Sequence, residues 1–326
     1  MTRPRYIIYG AGAVGGTIGA RLFESGHDVV LIARGAHLDA LRAGGLRLDS
    51  PESSVTLAIP AAGNPGEVDW RDGDVVVLTM KTQDTTAALN ALSAAAPSTL
   101  PLVCAQNGVE NERLALRHHP HVYAVCVMLP ATHLEPGVVQ SNGAPLSGIL
   151  DIGRYPEGTD EGAEQIATDL SGSRFSSLPD PLVMRSKYAK LLMNLGNALE
   201  AACGPVGRGS DLYRRARQEG EACLRAAGID FASMEEDRAR RGDLMRIQPV
   251  AGARRGGGSS WQSLARGSGT IESDYLNGEV VLLGRLHGVP TPVNEMLQRV
   301  ANELARSGAP PGSLTEADLE KRLAAV

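Results

Sequence analysis

Up to about residue 180 the chain alternates short runs of apolar, β-branched residues with alanine-rich stretches of helical period. "RYIIY", "DVVLIA", "DVVVLTM", "PLVCAQ" and "VYAVCVM" are continuous apolar runs, the pattern of strands buried on both faces of a sheet. Between them, residues 13–25, 37–43, 85–96 and 111–116 read as helices, so strand and helix alternate and the sheet is predicted to be mainly parallel. Residues 138–152 read as further strand. After "RFSSLPDPLV" the strand runs stop, and from Met184 onward the pattern is helical. The expected fold class is therefore α/β, with a mainly parallel sheet domain over residues 1–180 followed by an all-helical domain over 181–326. The glycine-rich "VAGARRGGGSS", residues 250–260, reads as a loop between two of the later helices.

A length of 326 residues agrees with two domains. The formal net charge is −5 and acids and bases are interspersed, which leaves no electrostatic footprint for nucleic acid or an anionic membrane surface. The partner expected is a small molecule. No apolar run approaches the roughly 20 residues of a membrane span, and "MTRPRYIIYG" leads directly into a strand without space for a signal peptide, so the expected location is cytoplasmic. The four cysteines, Cys104, Cys126, Cys203 and Cys223, lack ligand spacing and read as reduced, buried thiols. "RHHPH", with His118, His119 and His121, reads as a surface loop, and no metal site is expected.

Gly10, Gly12 and Gly15 form a GxGxxG that directly follows the strand "RYIIY" and opens a helix. In that context the first glycine allows a tight turn, the second lets the backbone approach a pyrophosphate and the third permits close helix packing, as in a Rossmann-type dinucleotide site. The backbone of Gly10, Ala11, Gly12, Ala13, Val14 and Gly15 is the predicted cofactor cradle, with helix N-terminal amides facing the anion. About 20 residues on, where NAD sites carry an acid for the ribose 2′-hydroxyl, this chain has Arg34. A guanidinium suits a 2′-phosphate, so NADP(H) is the expected cofactor.

Ligands in open parallel sheets bind beyond the carboxyl ends of the strands. Lys81 follows "VVVLTM", and Gln106, Asn107 and Gly108 follow "LVCA". In "KYAKLLMNLGNAL", Lys190, Asn194 and Asn197 are spaced i, i+4 and i+7 on one face of a predicted helix whose other residues are largely apolar. Lys187 lies near the same face, and spacing alone does not choose between the two lysines. "TIESDYLNGE" places Glu272 and Asn277 in a predicted helix with carboxylates at 272, 274 and 279.

These blocks, together with "GHDVVLIARGAHLDALRAGGL" and "SSWQSLARGSGTIESDYLNGEVVLLGRLHGVPTPVN", resemble the ketopantoate reductase (2-dehydropantoate 2-reductase) family over nearly the whole chain. The resemblance implies a Rossmann-type NADPH domain followed by a helical domain, and reduction of a 2-oxo acid. It implies Lys190 as the catalytic lysine, acting as an ammonium acid, and Glu272 as a catalytic carboxylate that orients the lysine or accepts from the product hydroxyl, binds substrate and borders the cofactor. It likewise implies Asn194 and Ser260 as substrate contacts, and Lys81 and Asn107 near the nicotinamide. The chain departs from the family pattern in two places: Ala198 stands where a second helix asparagine usually falls, with Asn197 one residue earlier, and "TQDT" follows Lys81. Another branched 2-oxo acid is therefore an alternative substrate, and a non-catalytic NADP-sensing module an alternative function. A homodimer is compatible with all three readings.

Overall fold

A computed structural model describes residues 3–205, 209–253 and 255–324. The chain divides into two compact units, one of Met1–Lys187 with Met234–Arg255 and the other of Tyr188–Ser233 with Gly256–Val326.

The first unit begins β1 (Tyr6–Tyr9), α1 (Ala13–Glu24), β2 (Val29–Ile32), α2 (Gly35–Gly44), β3 (Leu46–Asp49), β4 (Ser54–Leu57) and β5 (Ala61–Ala62). It continues through β6 (Val75–Leu78), α3 (Thr82–Ser93), β7 (Leu102–Cys104), α4 (Asn111–Leu116) and β8 (Val122–Met128). After β9 (Ala131–Thr132), β10 (Val138–Ser141) and β11 (Gly143–Pro145) come β12 (Gly148–Arg154), α5 (Glu161–Ser171) and β13 (Phe175–Ser176). The main sheet has the order β13-β12-β8-β7-β6-β1-β2-β5, parallel except where β12 pairs with β8. All four residues of β6 and all seven of β8 are buried, as uninterrupted apolar runs require of a sheet covered on both faces. A second sheet, β4-β3-β10-β9, lies against α1.

The chain leaves β1 toward β2 on one side and returns to β6 on the other, so the topological switch falls between β1 and β6, where such sheets bind ligands. Three glycines let α1 lie close to both sheets. A Cβ at Gly15 would collide with Thr79 Oγ1 and the Gly10 carbonyl, at Gly16 with Val139 Cγ1 at 2.7 Å, and at Gly19 with Leu31 Cδ2 at 2.7 Å.

The chain continues as α6 (Val183–Asn194), α7 (Gly196–Cys203), α8 (Asp211–Ala226), α9 (Met234–Arg241), β14 (Met245–Ile247), α10 (Ser259–Ala265), α11 (Asn277–His287), α12 (Pro292–Ser307) and α13 (Glu316–Ala324). The second unit is built of helices around a core that includes Leu192, Leu195, Leu199, Leu212, Val280, Met296 and Val300. The segment carrying α9 and β14 belongs to the first unit, which differs from a single division of the sequence at residue 180. It is held there by Arg240, which donates to both oxygens of Asp151 at 2.6 and 2.7 Å and to Ser176 Oγ, and by antiparallel pairing of β14 with β11. The glycine-rich loop therefore follows a strand, not a helix. No described helix is long and apolar enough to cross a membrane. Three cysteines are buried and Cys203 is half-buried. His119, read as a loop residue, is buried, and burial lowers its pKa from the ordinary value; among the described residues there is no cluster able to hold a metal ion.

Candidate active site

In the first unit the three motif glycines have three different surroundings. Gly10 has φ +106°, and a Cβ there would sit 2.8 Å from the Met80 nitrogen, so neither the turn nor its approach to the β6 loop admits a side chain. Gly15 is closed by Thr79, whose one hydroxyl proton is shared between the carbonyls of Gly10 (2.7 Å) and Tyr9 (3.0 Å). At Gly12 a methyl group would meet nothing within 4 Å, which leaves open space at the N-terminus of α1. That helix has no side-chain cap and no acidic residue in its first turn. Uncapped N-terminal amides beside open space fit a dinucleotide pyrophosphate.

Arg34 is the N-cap residue of α2, just beyond β2. Its side chain is 84% exposed and reaches Asp84 Oδ1, in the first turn of α3, at 3.2 Å. An exposed pair of this kind contributes at most about 1 kcal/mol, so the guanidinium can turn to a bound anion. Burial raises the Tyr9 hydroxyl pKa, and the nearby Arg34 charge opposes that shift.

Lys81 is the N-cap of α3 at the switch point. The loop carrying it is joined to the loop after β7 by a polar network. Gln106 Nε2 donates to the Met80 carbonyl (2.9 Å) and to Thr85 Oγ1 (2.8 Å), and Asn111 Nδ2 donates to the Asn107 carbonyl (2.9 Å). Gln106 is thus a structural bridge that sets where Lys81 and Asn107 stand.

Lys187 belongs to the same network. Lys187 is 3% exposed, and its ammonium pairs with fully buried Glu112 at 2.6 Å and donates to the carbonyls of Gln106 (2.9 Å) and Val125 (3.2 Å). Burial, with Glu112 close by, holds the Cys104 thiol pKa well above its ordinary value. Two backbone carbonyls and the Glu112 counter-charge, all inside the first unit, hold the buried ammonium, which sets Lys187 apart as a structural lysine.

In the second unit the predicted single helix is two. α6 ends at Asn194, Leu195 forms a turn, and α7 starts at Gly196, where a Cβ would press on the Tyr213 ring at 3.0 Å. Lys190 and Asn194 share the i, i+4 face of α6, half-buried and buried respectively, whereas Asn197 stands beyond the break on α7. Asn277 reaches the backbone at this turn. Its Nδ2 donates to the Leu195 carbonyl (3.1 Å) and to Asn294 Oδ1 (3.0 Å), tying the turn to α11 and α12.

Asn197 also lies beside the start of α10, since a Cβ at Gly258 would be 3.6 Å from its Oδ1, and Gly258 N donates to Glu200 Oε2 at 3.0 Å. Ser260, two residues on, is 2% exposed, and its buried Oγ has no hydrogen-bond partner among the described residues. A buried hydroxyl without a protein partner is what a substrate-binding group looks like before substrate arrives.

Glu272 sits in a 3₁₀ turn, Glu272–Tyr275, and not in a helix, because the extended Ile271 precedes it and Leu276 interrupts before α11 begins. Of the three carboxylates in this stretch it alone is buried. Asp274 is exposed and accepts from Gln298 and Asn302, and Glu279 is half-buried. Burial separates a candidate functional acid from solvated neighbours, a distinction that sequence spacing does not carry.

Comparison with known proteins covers both units. The sequence model described as "Ketopantoate reductase PanE/ApbA" matches residues 6–157, and "Ketopantoate reductase PanE/ApbA C terminal" matches residues 183–305. The 2-dehydropantoate 2-reductase of Pyrococcus horikoshii is 28% identical over 305 residues, 89% of this chain and 94% of that protein. That of Halobacterium salinarum is 28% identical over 316 residues, 93% of this chain and all of its relative (100%). A PanE/ApbA family ketopantoate reductase from Ralstonia eutropha JMP134 superposes with a TM-score of 0.77 at 27% identity, covering 94% of this chain and 99% of that one. D-mandelate dehydrogenase, solved with NADH and anilino(oxo)acetate, shares the fold with a TM-score of 0.79 at 22% identity, covering 94% and 99%. With both matches in chain order over a parallel-sheet unit and a helical unit, the chain belongs to the ketopantoate reductase family and is an oxidoreductase of the 2-dehydropantoate 2-reductase class.

Proposed function

We propose that this protein reduces 2-dehydropantoate to pantoate with NADPH, a cytoplasmic step of pantothenate and coenzyme A biosynthesis. The observation that carries the cofactor assignment is Arg34 at the end of β2, exposed and only weakly held by Asp84. Gly12 and the first turn of α1 would hold the pyrophosphate, and Arg34 the 2′-phosphate. The bound nicotinamide supplies a hydride to the ketone carbon of the substrate.

The chain's own residues do the rest. Lys190 holds a proton on Nζ, stabilises the negative charge that grows on the ketone oxygen, and donates the proton to it. Asn194 and the buried hydroxyl of Ser260 bind the carboxylate end of the substrate. Glu272 orients the lysine or accepts from the product hydroxyl. Lys81 and Asn107 border the nicotinamide, positioned by the Gln106 bridge.

The cofactor assignment is tested by kcat/KM for NADPH and NADH. A charge-assisted contact contributes roughly 1.5–3 kcal/mol, so the wild type is expected to favour NADPH by about 10- to 150-fold. Arg34→Asp should erase that preference, and full inversion should need Asp84→Asn as well, because Asp84 would otherwise face a second carboxylate. Equal use of both cofactors by the wild type would refute the assignment.

The place of Asn197 beyond the helix break favours a second reading, the same reduction of a different branched 2-oxo acid. If Asn197 contacts substrate, Asn197→Ala should raise the oxo-acid KM by about fivefold and leave the NADPH KM alone. Unchanged substrate kinetics would make the residue structural.

A further inference from the structure

His37 lies in the first turn of α2, three residues after Arg34, and its ring joins two segments distant in sequence. Nε2 is 2.7 Å from the carbonyl oxygen of Ala11, inside the glycine-rich loop. On the opposite edge the backbone N–H of Gly137, in the β9–β10 turn, donates to Nδ1 at 2.9 Å. A backbone N–H can only donate and a carbonyl can only accept, so both partners require the same neutral tautomer, with the proton on Nε2. The His133 ring packs against His37 with centroids 4.3 Å apart, and its own Nδ1 is 2.9 Å from the Val138 carbonyl.

The Gly137 side of this bridge is fixed by the fold. Gly137 has φ +76°, a Cβ there would meet Ala40 Cβ at 3.0 Å, and its carbonyl accepts from Arg47 N at 2.8 Å. The Ala11 side is otherwise soft, because glycines flank it at positions 10 and 12 and neither has a side chain to narrow the backbone's range. Within the loop, Gly10 N and Ala11 N both donate to the Ile32 carbonyl, and Gly12 N donates to the Gly10 carbonyl at 2.7 Å. The Ala11–Gly12 peptide is therefore held by its N–H from within the loop and by its C=O from His37. Burial lowers the His37 pKa, which keeps out a second proton that would face the Gly137 N–H.

We infer that His37 is a positioning residue for dinucleotide binding: it clamps the Ala11–Gly12 peptide so that the first turn of α1 presents its amides to the pyrophosphate in a preset orientation. This rests on the cofactor reading above. Since the clamp acts at the pyrophosphate end, it serves NADPH and NADH alike, unlike Arg34.

The test combines dinucleotide titration with backbone amide exchange in His37→Leu, His37→Asn and His37→Gln. Glutamine can return a donor to Ala11 from the position of Nε2, whereas asparagine keeps only the place of Nδ1. Loss of one hydrogen bond corresponds to about a five- to tenfold change. His37→Leu and His37→Asn should weaken NADPH and NADH by that factor equally, His37→Gln should stay within about threefold of wild type, and the oxo-acid KM at saturating dinucleotide should not move. Binding by His37→Leu as tight as wild type, or His37→Gln as weak as His37→Leu, would overturn the inference. In the ligand-free protein, amides of residues 10–14 should exchange faster in His37→Leu than in His37→Gln, and equal rates would also overturn it. A wild type that binds neither dinucleotide refutes the cofactor reading instead, and the exchange comparison still decides the clamp.

Discussion

Lys190→Ala is expected to lose about 10²- to 10⁴-fold in turnover while its affinity for NADPH stays close to that of the wild type. The expectation follows from the role proposed for the residue: a positioned acid acts on charge that exists only as the carbonyl is reduced, so its removal lowers kcat and kcat/KM together and spares ground-state binding. Lys190 is half-buried on the same face of α6 as buried Asn194, as befits a group that must meet a small acid and exchange its proton. Steady-state kinetics with a direct titration of NADPH checks it. Turnover near that of the wild type would assign the proton to another group.

Lys187, three residues earlier, should show its effect in stability instead. Lys187→Met leaves the fully buried Glu112 carboxylate without its cation and the Gln106 and Val125 carbonyls without a donor. Breaking a buried pair from one side costs about 3–5 kcal/mol, equivalent to roughly 6–20 °C in the unfolding midpoint of the first unit. The double variant Lys187→Met with Glu112→Leu should recover much of that loss, since neither charge is then left alone in the interior. Thermal unfolding of the three proteins decides it, and a single variant as stable as the wild type would show that water or another cation reaches Glu112.

The contrast between these lysines marks what could be read from the chain. They are about 60° apart around one helix, both beside apolar residues, and helical period cannot tell them apart. What separates them is Glu112, 75 residues upstream, whose approach depends on how β7 and α4 pack. The strands and the glycine loop were legible because their signals are local: β6 and β8 are unbroken apolar runs, and Gly10 and Gly15 are demanded by the turn and the helix contact they make. The break at Leu195 was not, since the residues that meet it, Asn277 on the Leu195 carbonyl and the Tyr213 ring against Gly196, come from other helices. The return of Met234–Arg255 to the first unit was likewise hidden, resting on contacts between residues distant in sequence, such as Arg240–Asp151 and Arg185–Glu236, and on a three-residue strand with two exposed positions. His37 reads in sequence as an ordinary helix residue, and only its two backbone partners give it a role.

The central claim is transfer of hydride from a reduced nicotinamide to the carbon of a 2-oxo acid, and isotope transfer tests it most directly. The protein is incubated with NADPH deuterated at the transferable nicotinamide C4 position and with 2-dehydropantoate, and the product is analysed by mass spectrometry and NMR. The account predicts pantoate carrying one deuterium at C2 for each NADPH oxidised, with that transfer reduced about 10²- to 10⁴-fold in rate in Lys190→Ala. Tight NADPH binding with no oxidation of it by 2-dehydropantoate or any other branched 2-oxo acid would contradict the account and leave a dinucleotide-binding module without the reaction.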